Sequence, residues 1–186
     1  MKTCHRMPFG AEVLDEGGVR FRLWAPGVEA VVLQLDGEGD QLMTAVGDGW
    51  FESRHPAARA GSRYQFRLPD GLRVPDPASR FNPDDVDGRS EVIDPVCFDW
   101  SDKRWRGRPW EEAVIYEVHV GTFSPAGTFS GVQERLDYLA ELGVSAIEIM
   151  PVADFPGRRN WGYDGVLPFA PDSAYGRPDD LKRLID

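Results

Sequence analysis

The chain has 186 residues, 41% of them apolar, and 21 Lys and Arg against 31 Asp and Glu give a formal charge of -10. That length holds one large or two small domains, with enough apolar side chain for an ordinary core. The acidic balance argues against nucleic acid or an anionic membrane as a partner, since either needs a basic face. No apolar leader precedes the first strand-like alternation, and no window approaches the roughly 20 apolar residues of a membrane span, so a cytoplasmic location is expected. Cys4 and Cys97 stand far apart with no redox or zinc-ligand partner nearby and read as plain reduced thiols.

From Phe9 to about Leu68 the apolar residues alternate. Val19, Phe21 and Leu23 share one face, with Arg20, Arg22 and Trp24 on the other, and Val31, Leu33 and Leu35 repeat the pattern. Turn residues such as Asp15-Glu16-Gly17-Gly18, Asp36-Gly37 and Pro69-Asp70-Gly71 separate the runs. Six or seven short antiparallel strands in a small β-sandwich are expected.

Between Arg73 and Trp110 the periodicity fades into a Pro- and Asp-rich stretch that reads as a partly ordered connector. Trp100, Trp105 and Trp110 recur in it, and their favoured role is to pin it onto a neighbouring domain, with sugar stacking by one of them as the alternative. The division expected is a sandwich over residues 1–100, a connector over 101–111 and a second, incomplete unit over 112–186.

From Glu112 the pattern changes class. Ala113 to Val120 suits a strand buried on both faces, as parallel strands are. Ser130 with Gln133 reads as a capping box, and Val132, Leu136, Leu139 and Leu142 recur at helical spacing until Gly143 ends the helix. Val144 to Met150 is the next buried strand, giving one right-handed βαβ unit. Pro178 fits the first position of a further helix, with Leu181, Leu184 and Ile185 as its apolar stripe. One such unit leaves a parallel sheet uncovered, so this part reads as truncated.

The long stretch from about Ala153 to Gly176 leaves the C-terminal end of a parallel strand, the end at which α/β enzymes place their sites. Asn160-Trp161-Gly162-Tyr163-Asp164-Gly165 sets two rings about a glycine, and such rings suit either the C–H face of a pyranose or core packing. Glycoside hydrolysis needs two carboxyl groups flanking the bond. Glu117, Glu148, Asp154, Asp164 and Asp172 are the candidates, of which Glu117 and Glu148 read as buried structural carboxylates and Asp154 and Asp172 as turn residues, while His119 reads as either a polar wall or a core histidine. Arg158-Arg159 reads as solvated surface. Neither a Gly-rich phosphate loop nor a metal-ligand spacing occurs, so no cofactor or metal is expected.

The segments IYEVHVGTFSPAGTF, ERLDYLAELGVSAIEIMPVADFPGRRNWGYDG and FAPDSAYGRPDDLKRLID closely resemble the opening of the catalytic barrel in the α-amylase superfamily. FRLWAPGVEAVVLQL, YQFRLPDG and VPDPASRFNPDDVDGRSEVIDP resemble the immunoglobulin-like N-terminal β-sandwich of its branching enzymes, isoamylases and trehalohydrolases. FPGRRNWGYDG is closest to the trehalohydrolases, branching enzymes more often showing Ser-Trp-Gly-Tyr-Gln. The resemblance implies a sandwich followed by the first βαβ part of a (β/α)8 TIM barrel. It implies hydrolysis, with retention, of the α-1,4 bond next to the terminal trehalose of maltooligosyl trehalose. The family's aspartate nucleophile, glutamate acid/base and stabilising aspartate follow barrel strands four, five and seven, so none is expected in this chain, and the fragment is expected to be inactive alone. Tyr163 matches the family's sugar-stacking tyrosine, with Trp161 and Asp164 as neighbours in the same subsite. A branching or debranching relative and a noncatalytic glucan-binding module are the alternatives; no oligomeric state follows.

Overall fold

A computed structural model describes residues 8–186, so Cys4 lies outside the described residues, while Cys97 is a free, exposed thiol. The first seven strands are β1 Gly10–Val13, β2 Val19–Trp24, β3 Val32–Leu35, β4 Gly39–Leu42, β5 Thr44–Gly47, β6 Trp50–His55 and β7 Arg63–Arg67. Two short strands follow, β8 Arg73–Val74 and β9 Ser90–Glu91. One sheet runs β1-β2-β6-β5 and the other β4-β3-β7-β8, with β9 also on β7, and every pairing is antiparallel.

The expected sandwich is therefore present, for the expected reason. Val19, Phe21 and Leu23 point inward from β2, Val31, Leu33 and Leu35 do so from the other sheet, and all are buried. Phe21 meets Tyr64 edge-on at 4.7 Å between ring centres, and Tyr64 meets Phe66 at 5.8 Å. Each such ring contributes on the order of 1.5–3 kcal/mol through the apolar area it removes from water.

The stretch after β7 departs from the connector reading. Residues 73–92 are locked onto the sandwich: β8 and β9 both pair with β7, and Asp76, Ser79, Asn82 and Ser90 are buried. These polar side chains bond one another and the backbone, which apolar periodicity does not register. The Tyr64 hydroxyl donates to the Asp76 carboxylate at 2.7 Å, and the Ser90 hydroxyl accepts the Asp76 amide and donates to Asn82. Burial pushes the Asp76 carboxyl up to about 6, against the pull of Tyr64 and the Ala78 amide. Trp105 and Trp110 do not act as pins, being 63% and 79% exposed, whereas the half-buried Trp100 packs on Phe98, whose ring lies 5.5 Å from the Lys182 ammonium of the second half.

A 3₁₀ turn at Trp110–Glu112 leads into β10 Ile115–Val118, α1 Val120–Phe123, α2 Phe129–Gln133, α3 Leu136–Leu142 and β11 Ala146–Ile149. β10 and β11 pair in parallel, as expected. The intervening helix is two helices, broken where Arg135 leaves helical geometry at φ -106 and ψ 2. Its cap is Thr128 rather than Ser130: Thr128 has the extended backbone a cap needs and its side chain accepts the Gly131 amide, whereas Ser130 is already helical. Gly143, in the left-handed conformation, closes α3 as expected.

Neither strand is buried on both faces. Ile115 and Tyr116 are exposed, because β10 and β11 form a two-stranded sheet among the described residues with little laid across them. Glu117 and Glu148 lie side by side in register and are exposed, so they are not buried carboxylates.

β12 Ala153–Asp154 and β13 Leu167–Pro171 then form an antiparallel hairpin inside what reads as loop, and α4 Pro178–Ile185 follows with Pro178 in its first turn. Leu184 is buried in its stripe, but Ile185, in the last turn, is 61% exposed.

The two halves meet through specific contacts. Arg177 pairs with Glu91 and lays its guanidinium 4.6 Å from the Phe81 ring centre, and Phe9 packs on Phe169 at 5.6 Å. Asp85 accepts the Gly157 amide at 2.9 Å, while Val86 clusters with Leu167 and Ala170.

Replacing Tyr64 by Phe keeps the ring packing and removes only the hydroxyl that Asp76 accepts. Urea denaturation is expected to show a loss of about 1–3 kcal/mol with an unchanged m-value.

Candidate functional site

The C-terminal ends of β10 and β11 open into a cleft of about 710 Å³. His119 follows β10, Met150 follows β11, Arg158, Arg159 and Trp161 come from the loop between β12 and β13, and Tyr175 precedes α4. This is the end of a parallel pair at which α/β folds hold ligands.

The loop's course depends on two residues. Gly162 has φ +97, and a β-carbon built there would lie 1.9 Å from the Pro151 carbonyl oxygen. Only glycine lets the backbone press against the end of β11. Asn160 then makes three bonds in different directions: its side-chain oxygen accepts the Gly162 amide at 2.7 Å, its amide nitrogen donates to Asp164 at 3.0 Å, and its backbone carbonyl receives His119 Nε2 at 2.7 Å. A carbonyl only accepts, so the proton sits on Nε2, and Nδ1 faces the Thr122 hydroxyl at 3.3 Å. His119 thus reads as both a cleft wall and a brace for the loop.

Tyr175 backs this arrangement. Its ring meets His119 edge-on at 6.0 Å and also meets Phe129 and Phe155, and its hydroxyl reaches the Asn160 carbonyl at 3.5 Å. Burial, and then the Asp172 charge, push its hydroxyl above the usual tyrosine range.

The residues singled out in the sequence fall in different places. Trp161 lines the cleft and is 75% exposed, open for a ligand to stack on. Tyr163 is 68% exposed beyond Gly162 and does not line the cleft among the described residues. Asp164 is exposed and braces Asn160. Arg158 and Arg159 are exposed, as a solvated pair would be, but they also form part of the cleft wall. Asn160 and Tyr175 carry the geometry without having been marked as functional; the Asn-x-Gly spacing in the former is the one local signal that could have flagged it.

Asp154 and Asp172 are both 1% exposed, so the turn reading is incomplete. Asp172 does shape a turn, its carboxylate accepting the Ala174 amide at 2.8 Å. Asp154 ends β12, facing inward. Burial and the neighbouring Asp172 and Asp85 charges push it up to about 7. No group of His, Cys, Asp or Glu among the described residues is arranged to hold a metal ion.

The chain thus sets a Trp-walled cleft at the ends of a parallel strand pair beside an antiparallel sandwich. It belongs to the alpha-amylase family: residues 77–186 match that family's catalytic domain. Residues 8–79 match carbohydrate-binding module 48, the isoamylase N-terminal domain. The chain is similar to malto-oligosyltrehalose trehalohydrolase of Deinococcus radiodurans, with 48% identity over 97% of this chain and 30% of that protein. Its likeness to the enzyme of the same name from Saccharolobus solfataricus is 47% over 97% of this chain and 32% of the other. Among solved structures, a Salmonella typhimurium protein assigned to the alpha amylases superposes with a TM-score of 0.93 at 53% identity, over 97% of this chain and 31% of its own. The chain therefore spans about a third of the length of these relatives.

Gly162→Ala is expected to destabilise the protein by more than about 1 kcal/mol, because alanine disfavours positive φ and the Pro151 carbonyl occupies its methyl position. Limited proteolysis should cut first within residues 155–166 of this variant while the wild-type loop resists.

Proposed function

We propose that the chain is the N-terminal part of a trehalohydrolase-type glycoside hydrolase. In this reading the whole protein hydrolyses the α-1,4 bond next to the terminal trehalose of maltooligosyl trehalose and releases trehalose. β10 and β11 are the first two strands of a (β/α)8 barrel, and the cleft at their ends is one wall of the substrate site. The observation that carries the reading is the exposed Trp161 ring on that cleft, in a chain close to two trehalohydrolases along 97% of its own length.

Each residue has a part in this scheme. Trp161 offers an aromatic face to the C–H side of a glucose ring, a contact worth roughly 1 kcal/mol or more beyond the area it buries. Tyr163, carried outward by Gly162, stacks on the sugar at the cleavage position once the rest of the barrel closes around it. Asp164 holds Asn160 and presents its remaining lone pairs to sugar hydroxyls. Hydrolysis needs two carboxyl groups flanking the bond. Glu117 and Glu148 are strand neighbours outside the cleft lining, and Asp154 and Asp172 are buried beneath the loop. In this reading the catalytic carboxylates belong to other parts of the whole protein, Asp164 being engaged with Asn160, and these residues alone do not turn over substrate.

A second reading has its own observation. Trp24 is 58% exposed beside a groove of about 240 Å³ lined by Phe9 and Trp50 from the part that matches a carbohydrate-binding module and by Phe169 from the second half. Trp24 donates its ring N–H to the Asp48 carbonyl and Arg22 lies 4.7 Å from the Trp50 ring centre, so part of that aromatic surface is already engaged.

In the full-length protein, Trp161→Ala is expected to lower kcat/KM for trehalose release from maltooligosyl trehalose by roughly 10-fold or more, equivalent to about 1.4 kcal/mol. The 186-residue chain should release none. An unchanged kcat/KM would remove Trp161 from the site, and release by the short chain would place the catalytic carboxylates within it.

A further inference from the structure

Beneath the cleft loop lie two carboxyl groups that the proposed function does not use. Asp154 is the last residue of β12, where the loop leaves, and Asp172 follows β13, where it has returned. Their backbones tie the two ends together: the Val166 amide donates to the Asp154 carbonyl and the Asp172 amide to the Val152 carbonyl, both at 2.8 Å. The Asp172 carboxylate also accepts the Phe155 amide at 3.2 Å, at the start of the loop, and the Ala174 amide beside Tyr175.

Both residues are 1% exposed, and no protein donor reaches either Asp154 carboxyl oxygen, so only the neighbouring Asp172 carboxylate is left to pair with it. The Ser173 amide is close enough to favour the charged form but lies outside hydrogen-bonding geometry. Three acidic groups converge here from separate segments: Asp154 ends β12, Asp172 follows β13 and accepts the amide of Phe155, the residue next to Asp154, and Asp85, from the stretch between β8 and β9, accepts the Gly157 amide two residues further on. Tyr175, from the segment before α4, is the remaining titratable neighbour, and among the described residues no Lys, Arg or His is ion-paired to Asp154 or Asp172. Two buried carboxylates without a cation cannot both ionise cheaply, whereas a single proton turns one of them into a donor for the other.

We propose that Asp154 and Asp172 share one proton and so act as positioning residues that clamp the two ends of the cleft loop, held with one negative charge and loosened with two. Asp154 is the protonated partner and donates its O–H to Asp172. Asp172 keeps its charge for the Phe155 and Ala174 amides. Because Tyr175 sits three residues beyond Asp172 and backs both His119 and Asn160, loosening the clamp also loosens the cleft wall. The clamp is a property of the loop whatever ligand the cleft takes; that sugar binding follows it rests on the function proposed above.

The sign is set by the direction of the shift. Burial and the facing charges raise Asp154 to about 7 and raise Asp172 above the usual carboxylate range. A carboxyl raised on folding contributes stability in full below its unfolded value, about 4, and loses it as pH rises through its folded value. The clamp is therefore tight in mild acid and weakens across neutrality.

Amide hydrogen exchange on the 186-residue chain without sugar reads this directly, after correction for intrinsic exchange. Protection at Phe155 and Val166 is expected to fall about 10-fold or more between pH 6 and pH 8 while protection at Leu33 and Phe66 in the sandwich holds. Asp154→Asn supplies a permanent donor in place of the protonated acid and should keep the loop protected at pH 8. Loop protection that is flat with pH in the wild type, or an Asp154→Asn profile that follows the wild type, would overturn the clamp. If the variant loses sandwich protection and so has not folded, carbon-13 titration of the wild-type carboxyls decides: a midpoint for Asp154 near neutrality supports the pair, and one below about 5 refutes it.

Discussion

The contact on which the site depends is between a missing side chain and a carbonyl. Gly162 lies against the Pro151 oxygen so closely that any β-carbon would collide with it. This close approach holds the loop against the end of β11, with Trp161 on the cleft wall and Tyr163 outside it. Asn160 then bonds to Gly162, Asp164 and His119. A loop of this length would otherwise have to bear the entropy of ordering on its own surface contacts. Here the hairpin of β12 and β13 beneath it, and the Tyr175 ring behind it, carry that cost.

The sandwich acts as a support for this arrangement. Its contacts with the second half fall on the elements that carry the loop: Asp85 on Gly157, Val86 on Leu167 and Ala170, Phe9 on Phe169, and Glu91 on Arg177 just before α4. Movement of the stretch between β8 and β9 would therefore be felt at the cleft. Asp85, with φ +73, adopts a backbone conformation uncommon outside glycine, and its carboxylate also accepts the Val86 amide.

Much of the fold was legible in the sequence wherever burial follows a simple period. Val19, Phe21 and Leu23 alternate because one face of β2 meets the core, and Gly143 and Pro178 mark helix ends because their backbones suit those positions. The order of residues 73–92 was not legible, because it rests on Asp76, Asn82 and Ser90 bonding across 8 to 14 residues, a pattern without periodicity. The exposure of Glu117 and Glu148 was hidden for the opposite reason: an apolar run signals a strand, while its burial depends on neighbours the run does not encode. In the candidate site, the aromatic and glycine pattern at Trp161 to Tyr163 was visible. The roles of Asn160, Tyr175 and the Asp154–Asp172 pair required knowing that segments far apart in sequence converge.

On the proposed function, the cleft at the ends of β10 and β11, walled by Trp161 and held by Asn160 and His119, is where the chain meets α-glucan. Backbone amide chemical-shift mapping during titration of the chain with a maltooligosaccharide tests it most directly. The account predicts saturable shifts concentrated at His119 to Thr122 and Asn160 to Asp164. Shifts confined to the sandwich around Trp24 and Trp50, with the loop unmoved at saturation, would contradict it.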